Sequence, residues 1–146
     1  TRRWRAALML SMMRRREAVP VLLKGLDNDD DWIQWEALSA LKSLAPPDIE
    51  KRITGFLSTG QPLALRQEAI LALAAIGSKK ACAALKRALR DREPQLRWRA
   101  SMGLARTRDP GWLPALRAAL ANENSDTVIL QLKQDIDHLE RANGKA

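Results

Sequence analysis

The chain has 146 residues, 46% of them hydrophobic, and 25 Lys and Arg against 17 Asp and Glu give it a net charge of +8. That length accommodates one hydrophobic core, and no apolar run approaches the roughly 18 residues that a membrane-spanning helix requires. The charge permits an anionic partner without naming one, and a single cysteine, Cys82, excludes an intrachain disulfide or a cysteine-cluster metal site and fits a reducing cytoplasm.

In chain order the sequence repeats itself. "RRWRAALMLSM" (2–12), "IQWEALSALKS" (33–43), "LRQEAILALAA" (65–75) and "LRWRASMGLAR" (96–106) align with a central alanine at Ala6, Ala37, Ala69 and Ala100, at intervals of 31, 32 and 31. Each segment is followed by a second one, and these share the register Leu22, Ile53, Leu85 and Leu116. Pro20 and Pro114 recur in the first turn of that second segment, where a missing amide donor costs little. The spacing predicts four helix pairs, A and B, over about 1–29, 30–60, 61–91 and 92–122. A lone helix over 125–143, with Ser125 as its cap and Gly144 as its stop, closes the series as a C-terminal cap.

Helical periodicity assigns the buried side of helix A. Leu65, Ala69, Ala72, Leu73 and Ile76 share one arc with Ile33, Ala37, Ala40, Leu41 and Leu44, and that arc meets helix B. Trp4, Trp35 and Trp98 stand two residues before the repeat alanine, about 180° from the arc, and are expected to face outward. Leu8, Leu38, Ile70, Leu71 and Met102 are expected beside them, unless all these side chains lie across seams between A helices. If exposed, the tryptophans would form an aromatic and cationic patch with Arg5, Arg97 and Arg99, residue types common at binding hot spots. Trp112, in the column of Ala18, Ile49 and Ala81, reads as a core or turn-packing residue.

The charges fall into two basic sets. Arg14, Arg15, Arg16, Lys79, Lys80, Arg106 and Arg108 lie at the A-to-B turns, whereas Asp27, Asp29, Asp30, Asp31, Asp91, Glu93, Glu123 and Asp126 lie at the B-to-A turns. Compensation of helix dipoles suffices for most of this asymmetry, though not for three consecutive arginines. Lys24, Arg52, Lys86, Arg87 and Arg117 form a second set along helix B. His138 is the only histidine, and Ser11, Ser39 and Ser101 have no histidine partner in the repeats, so neither a metal site nor a Ser/His/Asp constellation is expected. No cofactor motif is present.

The stretches "LRQEAILALAAIGSKKACAALKRALRD" (65–91) and "REPQLRWRASMGLARTRDPGWLPALRAALAN" (92–122) resemble short HEAT repeats of the bacterial type known from phycobilin lyase subunits. Arg66 and Arg97 match the opening arginine of helix A, Asp109 and Pro110 the turn, and Leu113, Pro114, Leu116 and Leu120 helix B. The second repeat departs from the pattern, with Gln34 for the arginine and "APPD" for the turn. The resemblance implies an all-α α-solenoid, an α-α superhelix of the armadillo-like kind, of about four HEAT-like helix pairs plus the C-terminal capping helix, forming a single repeat domain over 1–146. It implies a non-catalytic scaffold for protein binding, with helix B lining a concave face and a partner of acidic surface. Nucleic-acid backbone binding through the basic concave face or edge is the alternative, as in the alkylpurine DNA glycosylases that use HEAT-like repeats. A lyase or DNA-repair enzyme subunit rests on fold analogy alone.

Overall fold

The computed structural model describes residues 1–144, and among these every regular element is helical. The A helices are α1 (Arg2–Met12), α3 (Asp31–Leu44), α5 (Leu63–Ile76) and α7 (Pro94–Ala105), and the B helices are α2 (Val19–Gly25), α4 (Ile49–Thr54), α6 (Lys79–Ala88) and α8 (Leu113–Asn122). The last helix is α9 (Asp126–Gly144). Short 3₁₀ turns at Arg16–Ala18 and Pro110–Trp112 lead into α2 and α8, each of which carries its proline in the first turn. No helix among the described residues is long and apolar enough to cross a membrane.

The chain forms two compact units, Thr1–Ile76 and Gly77–Ala146. In the first, α3 packs against α1, α2 and α5, and α4 packs on α5. In the second, α7 packs on α6 and α9, and α9 also packs on α8. Each of α3, α5 and α7 thus touches both a neighbouring A-type helix and the B helix that precedes it in sequence. The expected B-helix register is met, since Leu22, Ile53, Leu85 and Leu116 are completely buried.

Two expectations for helix A need correction. Leu38 and Ile70 are core residues, 0% and 1% exposed, not members of an outer face. A helix with helical neighbours on two sides buries two stripes, and the single-arc reading found only one. Ala6 is exposed, whereas Ala37, Ala69 and Ala100 in the same column are completely buried. In the first repeat the buried column is Ala7 and Ser11.

A left-handed residue follows the end of each A helix within three residues, at one fixed place in the repeat: Arg14 (φ 54°), Ala45 (φ 40°), Gly77 (φ 64°) and Arg108 (φ 57°). These four positions reproduce the 31, 32, 31 spacing. Ending a helix this way redirects the chain while keeping its last carbonyls bonded, as in Ala45 N to Leu41 O at 2.8 Å. Only Gly77 does so without a Cβ penalty; the other three carry roughly 1–2 kcal/mol each. The "APPD" turn of the second repeat adds another left-handed residue, Asp48 (φ 58°).

The core of the second unit contains a buried carboxyl group. Asp135 of α9, 7% exposed, accepts from Ser101 Oγ of α7 at 2.6 Å and from Gln131 Nε2 at 3.0 Å. Burial pushes its pKa above the ordinary value of 3.8, against the pull of those two hydrogen bonds and of His138. The folded state therefore holds this proton to higher pH than the unfolded chain, and the group's contribution falls as pH rises through that window. Asp135→Asn keeps an acceptor and removes the charge. Its expected stability at pH 7 is unchanged or higher by on the order of 1 kcal/mol. The wild type should lose ground to it as pH rises above the ordinary carboxyl value of 3.8, read as the difference in thermal midpoints.

Candidate functional groove

Helices α6 and α8 of the second unit border a groove of about 1100 Å³. One wall is α6 with the turn after it, where Lys86, Arg87 and Arg90 are all exposed. The other is α8, which contributes Ala115, Ala118 and Ala119, with Trp112 at its start. Small side chains on α8 keep the groove open, and the long cations of the opposite wall carry apolar stems beside it. The result is an apolar floor below a positive rim.

Trp112, expected as a core or turn-packing residue, ends the turn Pro110–Trp112 and is half-buried in this groove. Its column holds Ala18, Ile49 and Ala81 elsewhere, all of them 2% exposed or less. An indole is too large for a slot sized for alanine or isoleucine, and it lies partly open. That size mismatch was the available sequence signal.

The groove ends on an ion pair. Arg97 of α7 binds Glu123 through two parallel hydrogen bonds, Nε to Oε2 and Nη2 to Oε1, both at 2.7 Å. Its Nη1 donates to the carbonyls of Asp91 at 2.8 Å and Arg92 at 3.0 Å. Glu123 also accepts from the amides of Asn124 and Ser125, both at 3.0 Å. The side chains are 13% and 3% exposed. Hydrogen bonding to Arg97 is the main cause that holds the Glu123 carboxyl below its ordinary pKa, and the same bond raises that of Arg97. Arg97 ties the turn before α7 to the turn after α8, and its donors are spent inside the fold.

The remaining candidates separate by location. Trp4, Trp35 and Trp98 are each half-buried. Trp4 donates from Nε1 to Glu36 Oε2 at 2.8 Å, across the seam between α1 and α3. Trp35 stacks on Trp32 with ring centroids 5.3 Å apart, and it is Trp32, 64% exposed, that faces solvent. Trp98 lies under the Arg99 guanidinium at 5.9 Å, and Arg5 is exposed. Of this column, Trp4 lies across the seam between α1 and α3, while Trp35 and Trp98 are half-buried beside residues of their own helices.

Arg14, Arg15, Arg16, Lys79, Lys80, Arg106 and Arg108 are exposed at helix ends, and Arg15 pairs with Glu17 at 3.0 Å. Lys79 and Lys80 begin α6 instead of standing in the turn before it. Of the B-helix set, Lys86 and Arg87 line the groove. Arg117 turns away to Glu140 at 2.7 Å, Arg52 bonds Asp27 at 2.6 Å and the Leu23 carbonyl at 3.2 Å, and Lys24 is exposed in the first unit.

Among the described residues Ser101, His138 and Cys82 do not come together as a nucleophilic site. Ser101 is fully buried on Asp135, and His138 is exposed. Cys82 is 2% exposed, and burial pushes its thiol pKa up, away from the reactive thiolate.

No curated protein matches the chain. The sequence model for HEAT repeats matches it twice, over residues 29–96 and 50–134. Repeats of this kind build all-α solenoids and generally mediate protein–protein interaction. The helix pairs, their constant 31 to 32 residue spacing and a family match running from residue 29 to residue 134 agree, and the chain belongs to the HEAT repeat family.

Proposed function

We propose that the protein is a non-catalytic scaffold of a reducing cytoplasm, and that the groove between α6 and α8 holds an acidic segment with one apolar face, carried by another protein. The observation that carries this reading is the juxtaposition of Lys86, Arg87 and Arg90 with the Trp112, Ala115, Ala118 and Ala119 surface. An amphipathic helix matches both parts, its apolar stripe on the alanines and its carboxylates on the rim. A Trp anchor with flanking cations is a composition that concentrates binding energy. A non-catalytic role is supported by Glu123, whose carboxylate at the groove's end is fully engaged by Arg97 and two amides.

The test is titration with a fluorescent helical peptide bearing Glu on one face and Leu on the other. Changing Lys86, Arg87 and Arg90 to Glu is expected to weaken binding at least tenfold, about 1.4 kcal/mol. Trp112→Ala should cost a further 1–2 kcal/mol, on the order expected of a hot-spot aromatic. A Lys-bearing peptide of the same pattern that binds equally well overturns the reading. So does a duplex oligonucleotide that binds more tightly at low salt and is released steeply as salt rises, which marks phosphate neutralisation.

A further inference from the structure

A ligand of the kind the α6–α8 groove fits stands on the chain itself. Asp27, Asn28, Asp29, Asp30 and Asp31 lead into α3, and Trp32, 64% exposed, stands in its first turn. Four carboxylates thus fall within five residues of a chain whose net charge is +8.

Repeat packing does not account for the ring. The column of Trp32 holds Ala64 in the third repeat and Gln95 in the fourth, and both are exposed. The indole fills no seam. It lies on half-buried Trp35, with centroids 5.3 Å apart and planes 19° apart, so it is held in place and open to solvent at once.

The turn beside it is fixed as well. Asp30 caps α3 by accepting from Trp32 N at 2.8 Å, and its own amide donates to Asn28 Oδ1 at 2.9 Å. Asp27 pairs with Arg52. Asp29 and Asp31 are exposed and form no ion pair among the described residues. Two open carboxylates and an open indole are therefore carried on a segment that is already ordered, so docking costs it little conformational entropy.

The groove is its complement. The lining cations are Lys86, Arg87, Arg90 and Arg97, and the lining acids are Asp91 and Glu123. Arg97 is spent on Glu123, whereas Lys86, Arg87 and Arg90 are exposed and form no ion pair among the described residues. The inversion of charge shows at one register position, the fifth after the repeated Leu22 and Leu85: it is Asp27 in the first repeat and Arg90 in the third.

We infer that the 27–32 segment of one copy docks in the α6–α8 groove of another, with Trp32 on the alanine floor and Asp29 and Asp31 on the rim of Lys86, Arg87 and Arg90. This rests on the reading of that groove as a receptor for an acidic segment with an apolar face. A second copy is the occupant because both halves of the contact are present on the chain and opposite in charge. Segment and groove belong to different units, so the contact is heterologous, and a linear assembly leaves one of each unused at its ends. Self-association and an external acidic segment then compete for one groove. A rising concentration of the chain closes it to other partners.

Sedimentation velocity of the full chain over a range of concentrations tests the inference. The wild type is expected to gain mass as concentration rises. Two variants should each weaken that association about tenfold or more: Asp29→Asn with Asp31→Asn and Trp32→Ala on the segment, and Lys86→Glu with Arg87→Glu and Arg90→Glu on the groove. Asp30 is left in place because it caps α3. An equimolar mixture of the two variants holds one intact segment and one intact groove per pair, and should form a dimer that grows no further. The Glu- and Leu-bearing peptide should dissociate the wild-type assembly. The segment variant should still bind that peptide with unchanged helix content, which separates loss of the contact from loss of the fold. A wild type whose mass does not depend on concentration, while the peptide still binds, overturns this inference and leaves the reading of the groove standing. Loss of peptide binding as well removes both. Assembly that persists in either variant, or a mixture that stays monomeric, assigns the contact to other surfaces and also overturns it.

Discussion

Replacing Arg97 with alanine is expected to destabilise the Gly77–Ala146 unit by about 3–5 kcal/mol, since it leaves the carboxylate of Glu123 buried without its counter-charge. The loss exceeds that of an ordinary ion pair because four hydrogen bonds leave together, two to Glu123 and one to each carbonyl of Asp91 and Arg92. Exposed pairs such as Arg15 with Glu17 or Arg117 with Glu140, with side chains about half exposed, are screened by solvent and contribute far less. For a unit of this size the change appears as a fall in Tm of more than about 10 °C. Arg97→Lys keeps the charge but not the fork, and should recover only part of the loss. The double variant with Glu123→Gln should be less damaged than the sum of the two single variants, which is the signature of direct coupling. The pH dependence has a definite sign. Because the Glu123 pKa is depressed in the folded state, its contribution is complete above the ordinary value of 4.5 and is lost as pH falls through the folded value. Acid should narrow the gap between wild type and Arg97→Ala. Additive single variants, or a gap that widens in acid, would refute this account.

The same arginine shows what sequence reading reaches and where it stops. Its place in the repeat was legible, and so were the helix pairs and the Leu22, Ile53, Leu85, Leu116 register, because each needs only one residue type at one interval. The partner was not, since Glu123 lies 26 residues away in a turn whose acids have an adequate explanation in helix dipoles. Leu38 and Ile70 were misplaced for a different reason: an A helix contacts more than one neighbour, and a single-face pattern undercounts its buried surface. The groove was half legible. Lys86 and Arg87 belong to it, but Arg117, on the same kind of helix, turns to Glu140 on α9, a contact that no periodicity encodes. Arg90 lies just beyond α6 and was not singled out at all. For the tryptophans the register predicts a column and not its contents. Whether the ring is covered depends on what stands opposite, and opposite Trp4 that residue is a glycine.

Gly25→Ala should therefore have an effect out of proportion to one methyl group. A Cβ at Gly25 would stand 2.5 Å from Cη2 and 2.7 Å from Cζ3 of Trp4, and 3.2 Å from the Cβ of Ala37. The first two distances are far inside van der Waals contact, so the indole must leave or α1 must shift. An indole that leaves gives up its hydrogen bond to Glu36 at 2.8 Å and uncovers the end of α2. Overpacking of this kind costs about 1–3 kcal/mol. A smaller side chain on α1 supplies the control, because Trp4→Leu removes the clashing atoms. In that background the added methyl at Gly25 should be nearly neutral or slightly stabilising, as alanine is the better helix former by up to about 1 kcal/mol. Chemical denaturation of the four chains of this cycle measures both effects, with the interaction term carrying the clash. If Gly25→Ala costs the same with and without Trp4, the indole is not what requires the glycine. If the cost vanishes with Trp4→Leu, Trp4 and Gly25 are one packing unit, and the first tryptophan of the repeated phrase serves the seam between α1, α2 and α3 and not an exposed surface.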